Sequence, residues 1–190
     1  GVKQTGDLAD NRFLRDDASN LAAFLYQLQQ TQKASYDKIV GAVRMVAPFF
    51  EDFILSPSKL NPEKIRLEWK EKGSDEYFNA SALSDGTLRF ICLATLLLQP
   101  SLPSAVLIDE PELGLHPAAI TLLAELLRST SRRAQVIVST QSVTLVNQLT
   151  PDEVVIVEHK DGTSSFRRLD QEQLKDWIGD YGLGELWEKN

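Results

Sequence analysis

The sequence predicts an α/β fold in which a parallel sheet is flanked by helices, with a small α+β region in front of it. Two observations predict this arrangement. From residue 83 onward, helical and strand-like patterns alternate, which is typical of parallel strands joined by helices. Residues 1–82 instead show two helical patterns followed by short strands. We therefore expect two domains, residues 1–82 and residues 83–190.

Both helices of the front region are predicted from their apolar spacing. Residues 20–30 carry apolar side chains three and four positions apart, with Ser19 or Asn20 available as the cap. A second helix is expected over residues 35–50 and should end near Pro48, because proline does not continue a helix.

The strands of the front region are short. In the middle one, Ile65, Leu67 and Trp69 alternate with polar residues, which predicts one buried and one solvated face. The expected strands cover residues 52–56, 64–72 and 76–80.

The second half begins with a strongly apolar helix. Residues 84–99 are apolar nearly all round beyond their first turn, which predicts a buried helix. Residues 117–128 begin with proline and carry an apolar stripe, which predicts an amphipathic helix. Apolar runs at 105–108, 135–140 and 153–158 are expected to form the parallel sheet.

Three further elements complete the prediction. Residues 142–149 are expected to form a short helix, and Asp161–Gly162 is a hairpin turn signal. Residues 170–178 are expected to form a last helix, capped by Asp170 with Gln173 in the reciprocal position.

Composition excludes several classes of protein. The net charge of −7 and the pI of about 4.9 do not indicate a broad basic surface for nucleic acid. The lone Cys92 excludes an internal disulfide framework and is expected to be buried as a small hydrophobe. No apolar stretch reaches the roughly 18 residues of a membrane helix, and the N-terminus has no signal-peptide core, so we expect a cytoplasmic protein without a membrane partner.

Two adjacent acids, Asp109 and Glu110, follow the apolar run at 105–108. Ligands of parallel sheets collect at the carboxyl ends of the strands. One acid is suited to holding magnesium, and the other to orienting or deprotonating an attacking water. The acids alone leave a structural alternative equally open, in which they are a helix cap and a solvated acid.

Two other segments are candidates for the same site. Gln141 follows the next strand, so we expect it beside the acids, where its amide suits a phosphate oxygen or a water. Ser84 and Gly86 open the apolar helix, whose free N–H groups and positive dipole end favour an anion. Ordinary helix starts, at Ser84 and at Ser142, are the structural alternatives.

The three segments, in this order, resemble the nucleotide-binding domain of ABC-type ATPases, the superfamily that includes SMC and RecF proteins. LSDGTLR at 83–89 resembles the signature motif, AVLIDEPELGLHP at 105–117 the Walker B strand with the D-loop, and STQS at 139–142 the switch segment. The DEPE-GLHP form is closer to RecF-like and OLD-like ATPases than to transporter ATPases. The resemblance implies a fold of the P-loop NTPase type that uses ATP and Mg²⁺.

The resemblance also implies roles for the residues around the acids. Asp109 would complete the magnesium site and Glu110 would polarise the attacking water. Gln141 stands where many relatives have histidine and would contact the γ-phosphate or that water.

The signature helix would act on a nucleotide held by a second copy, which implies a homodimer with shared sites. Ser84, Asp85 and Gly86 would contact that nucleotide, and Arg89 would add charge unless it forms a surface ion pair. His116 in the D-loop is interpreted as a cap or interface residue near the nucleotide and not as a metal ligand.

One element of the ATPase pattern is missing. The phosphate loop G-x-x-x-x-G-K-[ST] is absent, and its nearest match, residues 1–7, has Asp7 in place of the lysine. We therefore expect this chain to be the C-terminal part of a larger ATPase and to be inactive alone.

Two alternatives to the ATPase module remain. The first is a non-catalytic regulatory or docking module derived from such an ATPase. The second is a metal-dependent nuclease using Asp109, Glu110 and Glu112, which would need a further acid cluster. DNA is left open as a partner.

Overall fold

The computed structural model describes residues 1–168, and the helix predicted at 170–178 lies outside them. The chain divides into two compact units. The first comprises Gly1–Leu107 and Leu113–Ile137, and the described part of the second comprises Ile108–Glu112 and residues 138–168. The domain boundary between residues 82 and 83 stays a prediction.

The described residues form five α-helices and nine strands. The helices are α1 Leu21–Thr31, α2 Lys33–Val46, α3 Asp85–Leu98, α4 Pro117–Ser131 and α5 Val143–Val146. The strands are β1 Gly6–Asp7, β2 Phe50–Ile54, β3 Lys64–Ile65, β4 Glu68–Glu71, β5 Tyr77–Asn79, β6 Ala105–Asp109, β7 Gln135–Ser139, β8 Val155–Lys160 and β9 Thr163–Arg168. Short 3₁₀ helices cover Ala80–Ala82 and Pro151–Glu153.

The first unit contains an antiparallel sheet with the strand order β2-β4-β5. Its inner face is aromatic, and Trp69 stacks on Phe78 with ring centroids 5.0 Å apart. The predicted alternation is confirmed, because Ile65, Leu67 and Trp69 are all buried. The strand predicted over 64–72 is interrupted, since its ends pair with different partners, β3 with β1 and β4 with β2 and β5.

Helix α2 packs on this sheet through β2, whereas α1 packs on α2 and on β1. Each helix buries one face. Tyr36 of α2 is fully buried, and its hydroxyl donates to Asp52 Oδ1 over 2.6 Å. Burial and the neighbouring Asp52 carboxylate raise the pKa of the Tyr36 phenol, so the hydroxyl stays a donor.

Asn20, one of the two predicted caps of α1, makes other hydrogen bonds than a cap would. Asn20 occupies the N-cap position, but its side chain makes no capping hydrogen bond. Its amide instead donates to the carbonyls of Asp10 and Phe13, and its oxygen accepts from the N–H of Arg15. Asn20 therefore holds the loop before the helix, which accounts for its burial.

The strongly apolar helix α3 runs through the first unit between α2 and α4. Its last turn is fixed by the end of α4 and the residues after it, because Thr130 and Arg133 both donate to the carbonyl of Leu97. Cys92 lies on α3 and is half-buried against the core, so the expected full burial is not found. Its partial burial raises the pKa of the thiol to about 12.

Strands β6 and β7 form a two-stranded sheet. The N–H of Gln135 donates to the carbonyl of Ser104, and the N–H of Glu110 donates to the carbonyl of Ser139. The start of β7 thus lies beside the start of β6 and the end beside the end, so the two strands run parallel. The prediction that both strands are buried is wrong for one face, where Leu107 is 72% and Ile137 is 50% exposed. Among the described residues, this face has no covering layer.

Strand β8 does not extend that parallel pair, contrary to the prediction for residues 153–158. It pairs with β9 in an antiparallel hairpin, with Val157 opposite Phe166. The turn signal is confirmed, because Asp161 and Gly162 have φ values of 50° and 76°. The element content is mixed α/β, with small sheets and flanking helices. None of the helices within residues 1–168 combines the length and the apolar character that a bilayer crossing requires.

Candidate functional site

The candidate site lies where β6 and β7 end. The apolar run of β6 stops at Asp109, and the N–H of Glu110 donates to the carbonyl of Ser139 over 2.9 Å. Since the strands are parallel, both chains leave the sheet at the same edge. The acids and the segment after β7 are brought together, as the sequence predicted.

Glu110 has an unusual backbone conformation. Its φ of 42° lies in the left-handed region, which side chains other than glycine and asparagine seldom adopt. The next residue, Pro111, is buried and has no N–H to donate. The chain therefore turns sharply after the strand, and a strained position is occupied by a carboxylate, a combination that is frequent at functional sites.

Asp109 is held by a residue that the sequence analysis missed. The hydroxyl of Ser139 donates to Asp109 Oδ1 across the strand pair. The carboxylate is otherwise exposed, and no further partner of Asp109 is present within residues 1–168. Ser139 ends its strand 30 residues away, so the parallel pairing of β6 and β7 was the signal that would have found it.

Gln141 contacts Glu110. Its Nε2 donates to Glu110 Oε1 over 3.3 Å. The resemblance placed this amide on the γ-phosphate or the water, whereas in the structure it engages the carboxylate assigned to that water. The amide therefore fixes the direction of one Glu110 oxygen.

A second contact joins the same two segments. The hydroxyl of Thr140 donates to Glu112 Oε1 over 2.5 Å, and it also accepts the N–H of Ser142. The other oxygen of Glu112, Oε2, is buried without a hydrogen-bond partner among the described residues. A buried acceptor left in this way costs about 1–3 kcal/mol. From the sequence, Glu112 was expected only as a ligand of the nuclease alternative.

The signature segment belongs to the first unit and begins α3. Ser84 is the N-cap, and its oxygen accepts the N–H of Thr87 over 3.1 Å. Asp85 is exposed and forms an ion pair with Lys3 over 2.7 Å. The hydrogen bond from Lys3, and then the charge of that lysine, lower the pKa of the Asp85 carboxyl. Ser84 therefore caps the helix, as the structural alternative expected.

Close packing explains why residue 86 is glycine, which the sequence did not reveal. A Cβ at this position would lie 2.1 Å from the carbonyl oxygen of Gly114. The glycine lets the first turn of α3 approach the D-loop backbone. Arg89 lies one turn further along and is half-buried.

The other predicted site residue of the first unit is His116. It is the N-cap of α4, and its Nδ1 accepts the N–H of Ala118 over 3.3 Å. This geometry agrees with the interpretation as a cap. The seven residues that resembled a phosphate loop contribute β1, and Asp7 is paired with Lys64 over 2.7 Å.

The donor set of the acids fits Mg²⁺ in a phosphate site. Magnesium in such sites is held by one or two carboxylates together with phosphate oxygens and water. Asp109 offers an exposed carboxylate already fixed by Ser139. Within residues 1–168 there is no group of three or more His, Cys, Asp or Glu side chains arranged to hold a metal, so the acid cluster that a nuclease would need is not found there.

Comparison with known structures defines the class of this fold. A structure described as "Structural biochemistry of ATP-driven dimerization and DNA stimulated activation of SMC ATPases" aligns with a TM-score of 0.58 at 20% identity, covering 82% of this chain and 96% of that one. An SMC head bound to the C-winged helix domain of ScpA aligns at 0.61 and 19% identity, covering 89% and 50%. An Smc head from Pyrococcus furiosus aligns at 0.59 and 22% identity, covering 82% and 39%. The fold is that of the SMC head ATPases, which are of the P-loop NTPase type.

The sequence itself identifies the family. Residues 3–147 match the family described as "AAA domain, putative AbiEii toxin, Type IV TA system", and the chain belongs to it. A "Putative ABC transporter ATP-binding protein" of Methanosarcina acetivorans is 30% identical over 126 residues, which are 61% of this chain and 45% of that protein. The chain thus spans less than half the length of this curated relative. The resemblance to ABC-type and SMC-like ATPases is confirmed.

Proposed function

We propose that this chain supplies the hydrolytic residues of an ABC-type, RecF-like ATPase. The observation that carries the proposal is the hydrogen bond from Gln141 to Glu110, beside Asp109, at the shared edge of two parallel strands. The membership of an ATPase family supports it.

Asp109 and Ser139 would form the metal-holding part of the site. The Ser139 hydroxyl fixes one carboxylate oxygen of Asp109, and the other oxygen would be available to hold Mg²⁺ or its water. When bound, Mg²⁺ neutralises charge on the phosphate oxygens of ATP.

Glu110 would orient the attacking water and accept its proton. Its backbone is fixed by the bond to Ser139 and its carboxylate by Gln141. Glutamine does not carry a proton as histidine does, so Gln141 would act by positioning alone. Positioning suffices in phosphoryl transfer, where orientation and electrostatics supply most of the catalysis.

The signature helix would complete the site of a second copy. Ser84, Asp85, Gly86 and Arg89 lie in the first turns of α3, where N–H groups and the helix dipole favour an anion. ATP would then close a homodimer with shared sites, and hydrolysis would open it. His116, as the cap of α4, would support the D-loop at that interface.

The phosphate loop would come from a segment outside this chain. Residues 1–7 do not supply it, because Asp7 stands in place of the lysine and is paired with Lys64. We therefore propose that the chain alone hydrolyses no ATP, and that the parent protein is a cytoplasmic ATPase.

The test is Mg-ATP hydrolysis by the chain and by a protein that adds a phosphate-loop segment, each beside Glu110→Gln. We expect no turnover by the chain, turnover by the extended protein, and a loss of about 10²-fold or more in Glu110→Gln. Size-exclusion chromatography with ATP should show dimers of the extended Glu110→Gln protein.

Each other outcome has a distinct meaning. Turnover by the chain that vanishes in Glu110→Gln would show that another phosphate cradle exists. An extended protein that binds but does not hydrolyse ATP would favour the docking module, which the absent phosphate loop also supports. Repeating the assay with duplex DNA would test DNA as a partner.

A further inference from the structure

The contact between Glu112 and Thr140 is the feature that the proposed mechanism does not use. Glu112 lies two residues after Glu110, and Thr140 lies immediately before Gln141. Their side chains meet in a hydrogen bond of 2.5 Å between residues 28 positions apart in sequence. Both residues are half-buried and belong to the second unit.

This bond begins a directed series of hydrogen bonds. The Thr140 hydroxyl donates its proton to Glu112 Oε1. Its lone pairs are then available, and one accepts the N–H of Ser142 over 3.0 Å. The Ser142 oxygen in turn accepts the N–H of Leu145 and caps α5.

The series fixes the backbone on both sides of Gln141. Thr140 is bound through its side chain, and Ser142 through its N–H and its hydroxyl. The side chain of Gln141 projects from this fixed segment to Glu110 Oε1. Loss of the first bond would free the Thr140 hydroxyl to rotate, and the acceptor of the Ser142 N–H would no longer be fixed.

We propose that Glu112 is a positioning residue that, through Thr140, sets the switch segment so that Gln141 holds the Glu110 carboxylate. This inference rests on the proposed ATPase function. It gives Glu112 a part in the hydrolytic site without contact to substrate or metal.

Burial of Glu112 favours this role over a purely stabilising one. One of its oxygens makes the bond to Thr140, and the other is buried without a partner among residues 1–168. Such an arrangement is unfavourable for stability, and a neutral side chain would avoid it. The Glu112 oxygen that accepts the Thr140 proton sets the direction of the series.

The first experiment measures amide hydrogen exchange of the chain by NMR and requires no activity. Glu112→Ala and Thr140→Val should speed exchange of the Ser142 amide about fivefold, the effect of one lost hydrogen bond. Thr140→Ser keeps the hydroxyl and should retain the protection. Glu125→Ala, which removes an exposed acid on α4, is the matched control and should change nothing at Ser142.

The second experiment measures ATP hydrolysis by the phosphate-loop-extended protein. Glu112→Ala and Thr140→Val should each lower kcat by roughly 10–100-fold with KM nearly unchanged, because misplacement of a catalytic group acts on the chemical step. The double variant should be no worse than the worse single variant, since both remove the same contact. Thr140→Ser should restore kcat.

The outcomes separate this inference from the proposed function. Unchanged Ser142 exchange in both Glu112→Ala and Thr140→Val would overturn the hydrogen-bond series, whatever the activity. Wild-type kcat in Glu112→Ala, beside an inactive Glu110→Gln, would overturn the positioning role and leave the ATPase intact. Hydrolysis that is insensitive to Glu110→Gln would refute the proposed function itself.

Discussion

At the scale of single residues, the buried hydroxyl of Tyr36 gives a direct measure of core stability. It donates to the Asp52 carboxylate, and Gln29 donates to it in turn. Tyr36→Phe should lower the free energy of unfolding by about 1.5–3 kcal/mol, because it removes a hydrogen bond to a charged group. Urea unfolding of this variant measures the loss. Tyr77→Phe, at a residue that is 65% exposed, should be nearly neutral.

The raised pKa of Tyr36 predicts that the stability of the folded chain depends on pH. Burial raises the folded-state pKa of Tyr36 above the ordinary tyrosine value of about 10, so above about pH 10 the unfolded chain loses the proton first. Stability from Tyr36 is therefore present below pH 10 and falls as the pH rises further. The difference between wild type and Tyr36→Phe should shrink above pH 10, and a constant difference would contradict this.

The sequence pointed to the candidate site residues at the strand ends and missed the residues that contact them. Asp109, Glu110 and Gln141 were recognisable because each follows an apolar run at a strand end. Ser139 and Thr140 act on residues about 30 positions away, through the pairing of β6 with β7. No local pattern carries that information. The roles assigned to all these residues stay predictions.

At the scale of elements, substitution by alanine should have opposite effects on stability at two helical glycines. Gly86→Ala should destabilise the chain by about 1–3 kcal/mol, because the new Cβ overlaps the Gly114 carbonyl, 2.1 Å away. Gly41→Ala, in α2 with nothing within 4 Å of the new Cβ, should stabilise it by about 0.5–1 kcal/mol. Thermal and urea unfolding of both variants test the pair. Equal effects would show that the D-loop gives way to the methyl group.

Helices were predicted more accurately than strand partners. The four long helices lie within a few residues of their expected ranges, because their apolar spacing and caps are local. For β8, the apolar run predicted a strand but not its neighbour. The turn at Asp161–Gly162 was the signal for an antiparallel hairpin. The exposure of Leu107 also could not be predicted from the sequence, because an apolar strand predicts burial without showing what covers it.

At the scale of the molecule, stability should differ widely between regions. The hairpin β8–β9 exposes nearly all of its residues, including Phe166 at 70%, whereas α3 is mostly buried. Isolated two-stranded hairpins are marginally stable in water. Amides of residues 155–168 should therefore exchange at least about 100-fold faster than those in the middle of α3. Hydrogen-exchange mass spectrometry measures both, and equal protection would contradict the expectation.

The left-handed backbone of Glu110 has a consequence for how this protein can change over generations. Glycine at this position would relax a conformation that costs of order 1 kcal/mol, and asparagine would tolerate it better than glutamate. Selection for thermal robustness alone would therefore remove the carboxylate. Under the proposed function, its retention in a lineage would report selection for hydrolysis, and position 110 would distinguish working descendants from inactive, more durable ones.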